Sequence, residues 1–492
     1  MTTVHSIVPL LACLVSLVAV VPIVLLGERR RNAREATTFV AGFIKFALVA
    51  SMVPAVLAGK VLEFSFIELL PGVALEFRVD GLGLLFALVA SSLWILTSCY
   101  SIGYMRGANE ANQTRFYAFF AVSLSATLGV AFSGNLLTLY LFYEMLSLAT
   151  YPLVTHHQNK EARSGGRTYL TYLLFTSIAF ALPAVVYSYI KSGGAMEFTS
   201  GGFLAGEVGA GTALALLLLF VFGFSKAGVM PFHSWLPNAM VAPTPVSALL
   251  HAVAVVKVGV FCIIRVFTGV LGTDFLQTLD IAWVISWIAA FTVVTSSLIA
   301  MTQNNLKRLL AFSTIGQLSY IVLGVSLLAP HAVQGSMLHI PMHAFGKITL
   351  FFCAGAIYVA TGKKYISQLD GLGRAMPWTM GAFAIGAMSV VGLPLTGGLL
   401  SKIYMVWGAA DAQQHVLLAV YLVSSVLNGV YFFPILYRAF FRTPEGVEPY
   451  DQVNEAPLAC VLPLAITASG SVLLFFFPGL LFDLTSLMID AK

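Results

Sequence analysis

The chain has 492 residues, of which 59% are hydrophobic and only 10% are charged. A soluble domain is roughly 45–50% apolar and about 25% charged, so this composition predicts an integral membrane protein. The net charge of +5 comes from short basic clusters between apolar segments, which set membrane topology and do not indicate nucleic-acid binding. The five cysteines lie in separate apolar segments without disulfide or metal-ligand spacing, so no metal or redox cofactor is expected.

The apolar segments predict an all-α membrane fold with fourteen spans. A span needs about 20 apolar residues to cross the hydrocarbon core. The predicted spans are residues 6–27, 38–58, 82–105, 115–133, 135–155, 168–190, 211–236, 244–269, 281–301, 308–328, 336–359, 378–408, 414–437 and 457–482. The first is expected to be retained, because basic residues follow it and no basic segment precedes it. The longest connections, 59–81, 191–210 and 360–377, are too short for a soluble domain.

Basic residues test this count. If the N-terminus lies outside, the predicted inner connections hold sixteen lysines and arginines and the outer ones hold four. One missed span would invert every later connection and destroy this asymmetry. We therefore expect a single multi-pass domain in a cell inner membrane, with both termini on the outer side.

Two spans are interrupted, at Pro231 and at Pro394, Gly397 and Gly398. Interrupted helices at corresponding places in two halves indicate an inverted repeat, as in many transporters. The predicted repeats are residues 115–269 and 281–437, with five spans each. Three helices in residues 1–110 precede them and one, 457–482, follows.

The stretch Leu216–Lys257 carries two lysines and four prolines within an apolar run. A lysine at bilayer depth is costly and usually serves a function. Broken backbone at that depth is tolerated only inside protein or beside a wet cavity. We therefore predict a proton or cation path here, built on Lys226 and Lys257.

Five charged residues from five predicted spans are expected at similar depth, and we call them the charged row: Glu144, Lys226, Lys257, Lys347 and Lys402. The alternative is a set of buried ion pairs that only fix helix packing. Four lysines against one carboxylate leave cations without partners, which favours proton exchange. Lysine can exchange a proton in a desolvated site, whereas arginine stays charged. Arg265 is expected to extend to the outer membrane surface.

Histidines add proton-relay capacity. His339, His343 and Lys347 are spaced i, i+4, i+8 and so line one helix face. His251 does not share a face with Lys257 and is a separate relay candidate. His233 either caps backbone groups or lines an entry path. Zinc binding by the histidine pair is not expected, because a third ligand is missing.

Polar residues in span 308–328 leave two interpretations open. Ser313, Gln317 and Ser319 would either carry water between the halves or only link helices.

Four segments carry a resemblance to a known family: FYEMLSLATYPLV, FSKAGVMPFHSWLPNAMVAPTPVSALLHA, VKVGVFCIIR and HIPMHAFGKITLFF. They resemble the antiporter-like subunits shared by respiratory complex I, Mrp-type cation/proton antiporters and membrane-bound hydrogenases. The similarity runs at least from Phe77 to Arg442. It implies fourteen helices, inverted repeats in spans 4–8 and 9–13, and other membrane subunits as partners.

The resemblance also implies roles for individual residues. Glu144 and Lys226 would be the interacting pair, and Lys257 or His251 the connecting residue. His339, His343 and Lys347 would form the second-half relay, and Lys402 the terminal exchanging group. The lysine of VKVGVFCIIR and the chain length are most similar to the D-type subunits of Mrp antiporters. HSWLPNAMVAPTPVSALLHA is similar to the largest antiporter-like component of complex I, whose long C-terminal extension is expected to be absent.

Three functions are compared. The first is a proton-translocating subunit of a larger complex, with sodium/proton antiport or complex I-type or hydrogenase-type pumping as alternatives. The second is a redox enzyme, which is disfavoured because the chain has no cysteine-ligand spacing and no dinucleotide fingerprint. The third is a structural scaffold, which does not explain the charged row.

Overall fold

A computed structural model describes residues 2–443 and 453–489, with the backbone alone for Leu250 and His251. This part of the chain forms twenty-two α-helices. The helices before the midpoint are α1 Val8–Leu26, α2 Arg31–Ser51, α3 Val53–Leu57, α4 Gly81–Gly107, α5 Gln113–Ala131, α6 Leu136–Val154, α7 Lys160–Thr176, α8 Leu182–Ser192, α9 Ala210–Gly223, α10 Trp235–Asn238 and α11 Thr244–Ala248. The remaining helices are α12 Val255–Arg265, α13 Thr273–Leu279, α14 Trp283–Met301, α15 Leu306–Ser326, α16 Pro330–Thr361, α17 Leu372–Ala375, α18 Pro377–Val391, α19 Gly397–Asp411, α20 His415–Phe441, α21 Leu458–Phe476 and α22 Gly479–Ile489.

Short turns of two kinds join some of these helices: wide π-helical turns and tight 3₁₀ turns. Wide turns at Ser177–Ala181, Leu249–Val253 and Val266–Val270 have i→i+5 hydrogen bonds. The first joins α7 to α8, so that one helical segment runs from Lys160 to Ser192. Such turns are often found at functional sites, and the second lies between α11 and α12.

Eleven helices in the described residues are long and apolar enough to cross a membrane. The count becomes twelve if Val255–Val270 and Thr273–Leu279, which meet at 77°, form one span. The prediction of a mainly helical, multi-pass membrane protein is confirmed.

Breaks in the spans differ in part from the prediction. In the first broken span, α9 ends at Gly223, before Pro231 is reached, and a tight turn follows at Ser225–Ala227. The second break lies where predicted, between α18 and α19. The predicted span 457–482 corresponds to α21, which ends earlier than predicted, at Phe476, because the ring of Pro478 interrupts the helical hydrogen bonds.

A small sheet was not predicted. It has the order β1–β2–β3, from Thr2–His5, Lys60–Leu70 and Val73–Val79. β1 is parallel to β2, with Thr2 opposite Lys60, and β2 is antiparallel to β3. Isolated backbone bridges join further connections: Phe77 to Ser133, Asn135 to Glu197 and Asn305 to Tyr365.

Side-chain caps position several of the long helices. Asp80, Asn135, Asn159 and Asn305 each accept a hydrogen bond from the backbone N–H three residues on. Such a cap satisfies one of the unpaired donors at a helix start and stabilises it by about 1 kcal/mol. At the centre, every residue in the most apolar window of α15 is buried. The site is built around α15 and its neighbour α16.

Candidate proton-translocation site

Lys226 lies at the first break, in the turn after α9, and is fully buried. Its Nζ donates to the backbone carbonyl of Tyr143 at 2.8 Å and lies 2.5 Å from Ser147 Oγ. The same ammonium lies 3.1 Å from the centre of the Tyr143 ring. Carbonyl, hydroxyl and aromatic face therefore stabilise the cation without a carboxylate.

The turn around Lys226 is held from several sides. Trp235 Nε1 donates to the carbonyl of Ser225 at 3.0 Å, and Ser225 Oγ lies 2.6 Å from Thr176 Oγ1. On α12, Gly259 packs directly on the turn: a Cβ there would lie 2.1 Å from the backbone nitrogen of Ala227. A glycine is therefore required at 259, and it brings α12 against the break.

Glu144 does not pair directly with Lys226. No ion pair within 4.0 Å joins them among the described residues, and Glu144 is only partly buried. Its Oε1 is buried and lacks a hydrogen-bond partner. Lys226 Nζ turns to the adjacent backbone of α6, and the interaction of the two residues stays a prediction.

Lys257 and His343 make the central contact. Lys257 Nζ lies 2.5 Å from His343 Nδ1, and both side chains are buried. Lys257 belongs to α12 in the first predicted repeat, and His343 belongs to α16 in the second. This contact therefore joins the two halves at their titratable groups.

His339 continues this line on α16. Its ring stacks on that of His343 with centroids 5.5 Å apart. Its Nδ1 lies 2.8 Å from Ser401 Oγ, and its Nε2 lies 3.1 Å from Gln317 Oε1. The predicted histidine face is present, and hydroxyl and amide groups on α19 and α15 extend it.

Lys347 has the predicted spacing but no hydrogen bond to His343. Its Nζ donates to the backbone carbonyl of Leu310 on α15 at 3.2 Å and lies 5.5 Å from the centre of the Phe432 ring. Helical spacing brings the side chains to one face, but the long lysine stem turns to a backbone acceptor on the next helix. The direct third step of the predicted relay is therefore not formed.

Lys402 lies just after the second break and is buried. Its Nζ donates to the carbonyls of Val390 and Val391 at 2.7 and 3.0 Å, and to Ser425 Oγ at 3.2 Å. These carbonyls end α18, where Gly392 turns the chain with φ +89°. A helix C-terminus carries partial negative charge, so the broken span forms a cation site for its own lysine.

The other sequence candidates have different outcomes. The side chain of His251 lies outside the described part of the structure. His233 is partly buried, and its Nδ1 is buried without a hydrogen-bond partner. Ser313 accepts a hydrogen bond from Tyr431 at 2.8 Å, which favours its helix-linking interpretation.

Arg265 does not extend to the membrane surface as predicted. It is buried, and its guanidinium binds both oxygens of Asp80 at 2.5 and 2.6 Å. A carboxylate at the start of α4 is a stronger partner than water at the interface.

Lys45 is a further buried lysine that was not predicted to take part in proton transfer. The side chain is fully buried in α2, 2.7 Å from Ser16 Oγ on α1, and it belongs to no part of the row.

These features define a class: multi-span membrane proteins with broken helices around buried titratable side chains. Residues 133–428 match the family model "NADH:quinone oxidoreductase/Mrp antiporter, TM", and residues 72–117 match "NADH-Ubiquinone oxidoreductase (complex I), chain 5 N-terminus". The first match covers more than half of the chain. The chain belongs to this family of antiporter-type membrane subunits, which confirms the resemblance; its assignment to the D type stays a prediction.

Curated relatives come from both branches of the family. The N subunit of NADH-quinone oxidoreductase from Desulforudis audaxviator is 31% identical over 94% of this chain and 95% of its own. The A/B subunit of a probable K⁺/H⁺ antiporter from Rhizobium meliloti is 34% identical over 75% of this chain. The A1 subunit of a Na⁺/H⁺ antiporter from Staphylococcus aureus is 30% identical over 83%. The chain spans only 37% and 53% of the length of these two antiporter proteins.

Solved structures share the fold over almost the whole chain. One chain of the Mrp complex from Dietzia sp. has a TM-score of 0.84, with 22% identity over 98% of this chain and 97% of its own. One chain of an archaeal membrane-bound sulfane sulfur reductase has a TM-score of 0.85, with 23% identity over 99% and 98%.

Proposed function

We propose that this chain moves protons along the charged row, as one membrane subunit of a multisubunit complex. The observation that carries the proposal is the 2.5 Å contact between Lys257 Nζ and His343 Nδ1. Both groups exchange protons, and the contact joins the two halves in the interior of the bundle. A structural scaffold has no need for this pair of buried bases.

Interrupted helices hold Lys226 and Lys402, the two lysines on either side of this contact. Lys226 and Lys402 both lie at interrupted spans and both bind main-chain carbonyls. Gly259, two residues after Lys257, packs against the turn that carries Lys226. The order of proton transfer that this arrangement favours is Lys226, Lys257, the histidines and Lys402.

Polar atoms without protein partners lie along the same course: Gln317 Nε2, Ser319 Oγ, His343 Nε2, Ser389 Oγ and Asn428 Nδ2. Buried polar atoms of this kind hydrogen-bond to water, and water bridges the gaps that lysine and histidine cannot close directly.

Proton transfer fits these residues better than movement of Na⁺ or K⁺. Hard cations need several oxygen ligands, whereas the row offers four ammonium groups and one carboxylate. We propose that any exchanged metal cation moves through another subunit. The second candidate is a proton-pumping subunit of a complex I-type assembly, which the full-length similarity to an N subunit favours.

We extend the proposal to topology and partners. We propose fourteen membrane spans. Eleven are the helices of sufficient length, and three are interrupted or bent spans, at residues 210–241, 244–270 and 377–411. We also propose two inverted repeats, an inner-membrane location and outer termini; the even span count and the distribution of basic residues support termini on the outer side. Both solved neighbours come from multisubunit membrane complexes, and we propose similar partners here.

The test is Lys226→Arg in the assembled complex, with proton movement measured in everted vesicles. Arginine keeps the charge but cannot release a proton, since its pKa is above about 12. We expect proton movement to be nearly abolished, and Glu144→Gln to have the same effect. Lys45→Arg is the matched control, because Lys45 is equally buried but lies off the row.

A Lys226→Arg complex that assembles and keeps most of its transport would refute the proton-exchange role. Redox spectra of the purified chain address the enzyme alternative. Robust antiport by the reconstituted single chain would contradict the need for partner subunits.

A further inference from the structure

Three titratable side chains form a cluster outside the row. Glu110 lies in the connection between α4 and α5, and His156 and His157 follow α6. Glu110 Oε2 lies 3.4 Å from His157 Nδ1 and 4.0 Å from His156 Nε2. On the proposed topology, both connections lie on the inner face.

Glu110 is held in place by its neighbours. Its backbone N–H donates to the carbonyl of Met105 at 2.9 Å, and its own carbonyl accepts from Gln113 Nε2 at 3.1 Å. Its side chain is only 12% exposed. Burial raises the pKa of the Glu110 carboxyl, which His157 and Lys307 oppose. The carboxyl is thus placed to take up a proton.

His156 supplies an acceptor beside this carboxyl. It is 3% exposed, and its Nδ1 is buried without a hydrogen-bond partner. Burial and the nearby Arg115 lower the pKa of His156 to about 4. The imidazole of His156 is therefore neutral at physiological pH and adds no positive charge beside Glu110.

Glu110 lines two cavities. One, of about 260 Å³, is bordered by Arg31, Arg106 and Gln113. The other, of about 270 Å³, is lined by the loop before α11 and by Thr244, Tyr104 and Tyr358. At roughly 30 Å³ per water, each has room for several water molecules. The carboxyl thus lies between two spaces that water can fill.

The second cavity reaches the ends of the two spans that make the central contact. Thr244 is the first residue of α11, in the same proposed span as Lys257. Tyr104 is hydrogen-bonded to Thr244. Ala354 on α16 also lines the cavity, seven residues or about 10 Å from Lys347.

Charged groups from other elements face Glu110 across this cavity: Glu161, Lys307, Arg308, Lys363 and Lys364. Lys307 Nζ donates to the carbonyl of Ala242 at 2.6 Å, which fixes one cation on the wall. Because two carboxylates face four basic groups, the cavity does not have the uniform positive charge that an anion site requires.

We propose that Glu110, with His156 and His157, takes up protons from the inner face and passes them through the second cavity to the row. This inference rests on the proposed function and names the entry point for the same protons. Glu110 accepts the proton on a carboxylate oxygen, His157 receives it at Nδ1 or returns it, and water in the cavity carries it to the row.

The test is Glu110→Gln in the assembled complex, in everted vesicles with the inner face outward, over about pH 6 to 9. Glutamine keeps the volume but cannot carry the proton. We expect initial proton uptake to fall about tenfold near pH 8.5, where free protons are scarce, and less than about twofold near pH 6. His157→Gln should give a smaller loss with the same pH dependence.

Glu161→Gln is the matched control, since it removes the same charge from the same cavity, while the histidine pairs within the described residues there are made by Glu110. Wild-type uptake by Glu110→Gln at every pH, or an equal loss in Glu161→Gln, would overturn the inference. Poor assembly of Glu110→Gln leaves the decision to His157→Gln. Lys226→Arg is measured in parallel, because it tests proton transfer along the charged row and not proton entry at Glu110. It therefore distinguishes a failure of the entry inference from a failure of the proposed function.

Discussion

Lys257 on α12 and His343 on α16 form one hydrogen bond between the two proposed repeats, with 2.5 Å between Nζ and Nδ1. A lysine ammonium and an imidazolium are both donors only, so this bond requires at least one of the two groups to be neutral. The pair therefore holds at least one proton fewer than its two sites allow when separate. Once one group is charged, a further proton must displace the one already bound or break the contact.

His343→Ala tests this pair. It removes the acceptor of Lys257 and the link from Lys257 to His339, so we expect transport to fall about a hundredfold while the complex still assembles. Proton movement and subunit content are measured in the same vesicles. His331→Ala is the control, because His331 lies on α16 but binds the exposed Asp411. Wild-type rates in His343→Ala would make the contact a packing feature.

Gly259→Ala tests the contact between α12 and the Lys226 turn. The added Cβ would lie 2.1 Å from the nitrogen of Ala227, and two backbone segments must separate to admit it. We expect a loss of about 1–3 kcal/mol in stability and slower proton movement. Gly381→Ala on α18, where a Cβ meets nothing within 4 Å, should be neutral in thermal unfolding. Equal stability of the two variants would show that the turn adapts.

Asp80→Asn tests the buried pair with Arg265. The change leaves a guanidinium buried without its charge partner, which costs about 3–5 kcal/mol. We expect a lower midpoint of thermal unfolding in detergent. Glu207→Gln, an exposed carboxylate, serves as the control. An unchanged midpoint for Asp80→Asn would mean that Arg265 reaches water.

Glu76 predicts a pH dependence of stability at the sheet. Burial, together with Glu197 and Glu63, raises the pKa of its carboxyl from 4.5 to about 6. The folded state then binds more protons than the unfolded state between these values, so stability falls as pH rises through about 4.5 to 6.

The corresponding variant is Glu76→Gln. It should be about 1 kcal/mol more stable than wild type at pH 7, after allowance for solvent screening, and no more stable below about pH 4.5. Thermal unfolding at both pH values measures the difference. Glu68→Gln, in the same pocket but exposed, is the control. A Glu76→Gln variant without a pH-dependent gain would contradict the prediction.

Membrane character could be predicted from the sequence, because it depends on the composition of long apolar segments. The four lysines of the row are buried as expected, while the role of the row stays a prediction. The histidine face was predictable because His339 and His343 are one helical turn apart. The contact from His343 to Lys257 was not, because it joins residues 86 positions apart through tertiary packing.

The small sheet and the partner of Arg265 were not predicted from the sequence. The strands Lys60–Leu70 and Val73–Val79 are too short to be found by a measure of span length. Arg265 has an apolar neighbourhood in sequence, and its partner Asp80 is 185 positions away. Sequence position alone therefore favoured the membrane surface.

The backbone pairings between connections have a consequence for sidedness. Two segments that are hydrogen-bonded outside the bilayer lie on the same side of it, so the chain between them crosses an even number of times. This parity applies between β1 and β2, and at three further pairs: Phe77 with Ser133, Asn135 with Glu197 and Asn305 with Tyr365. One labelling measurement on the β2–β3 hairpin therefore locates residues 2–5, 133–135 and 197 at once.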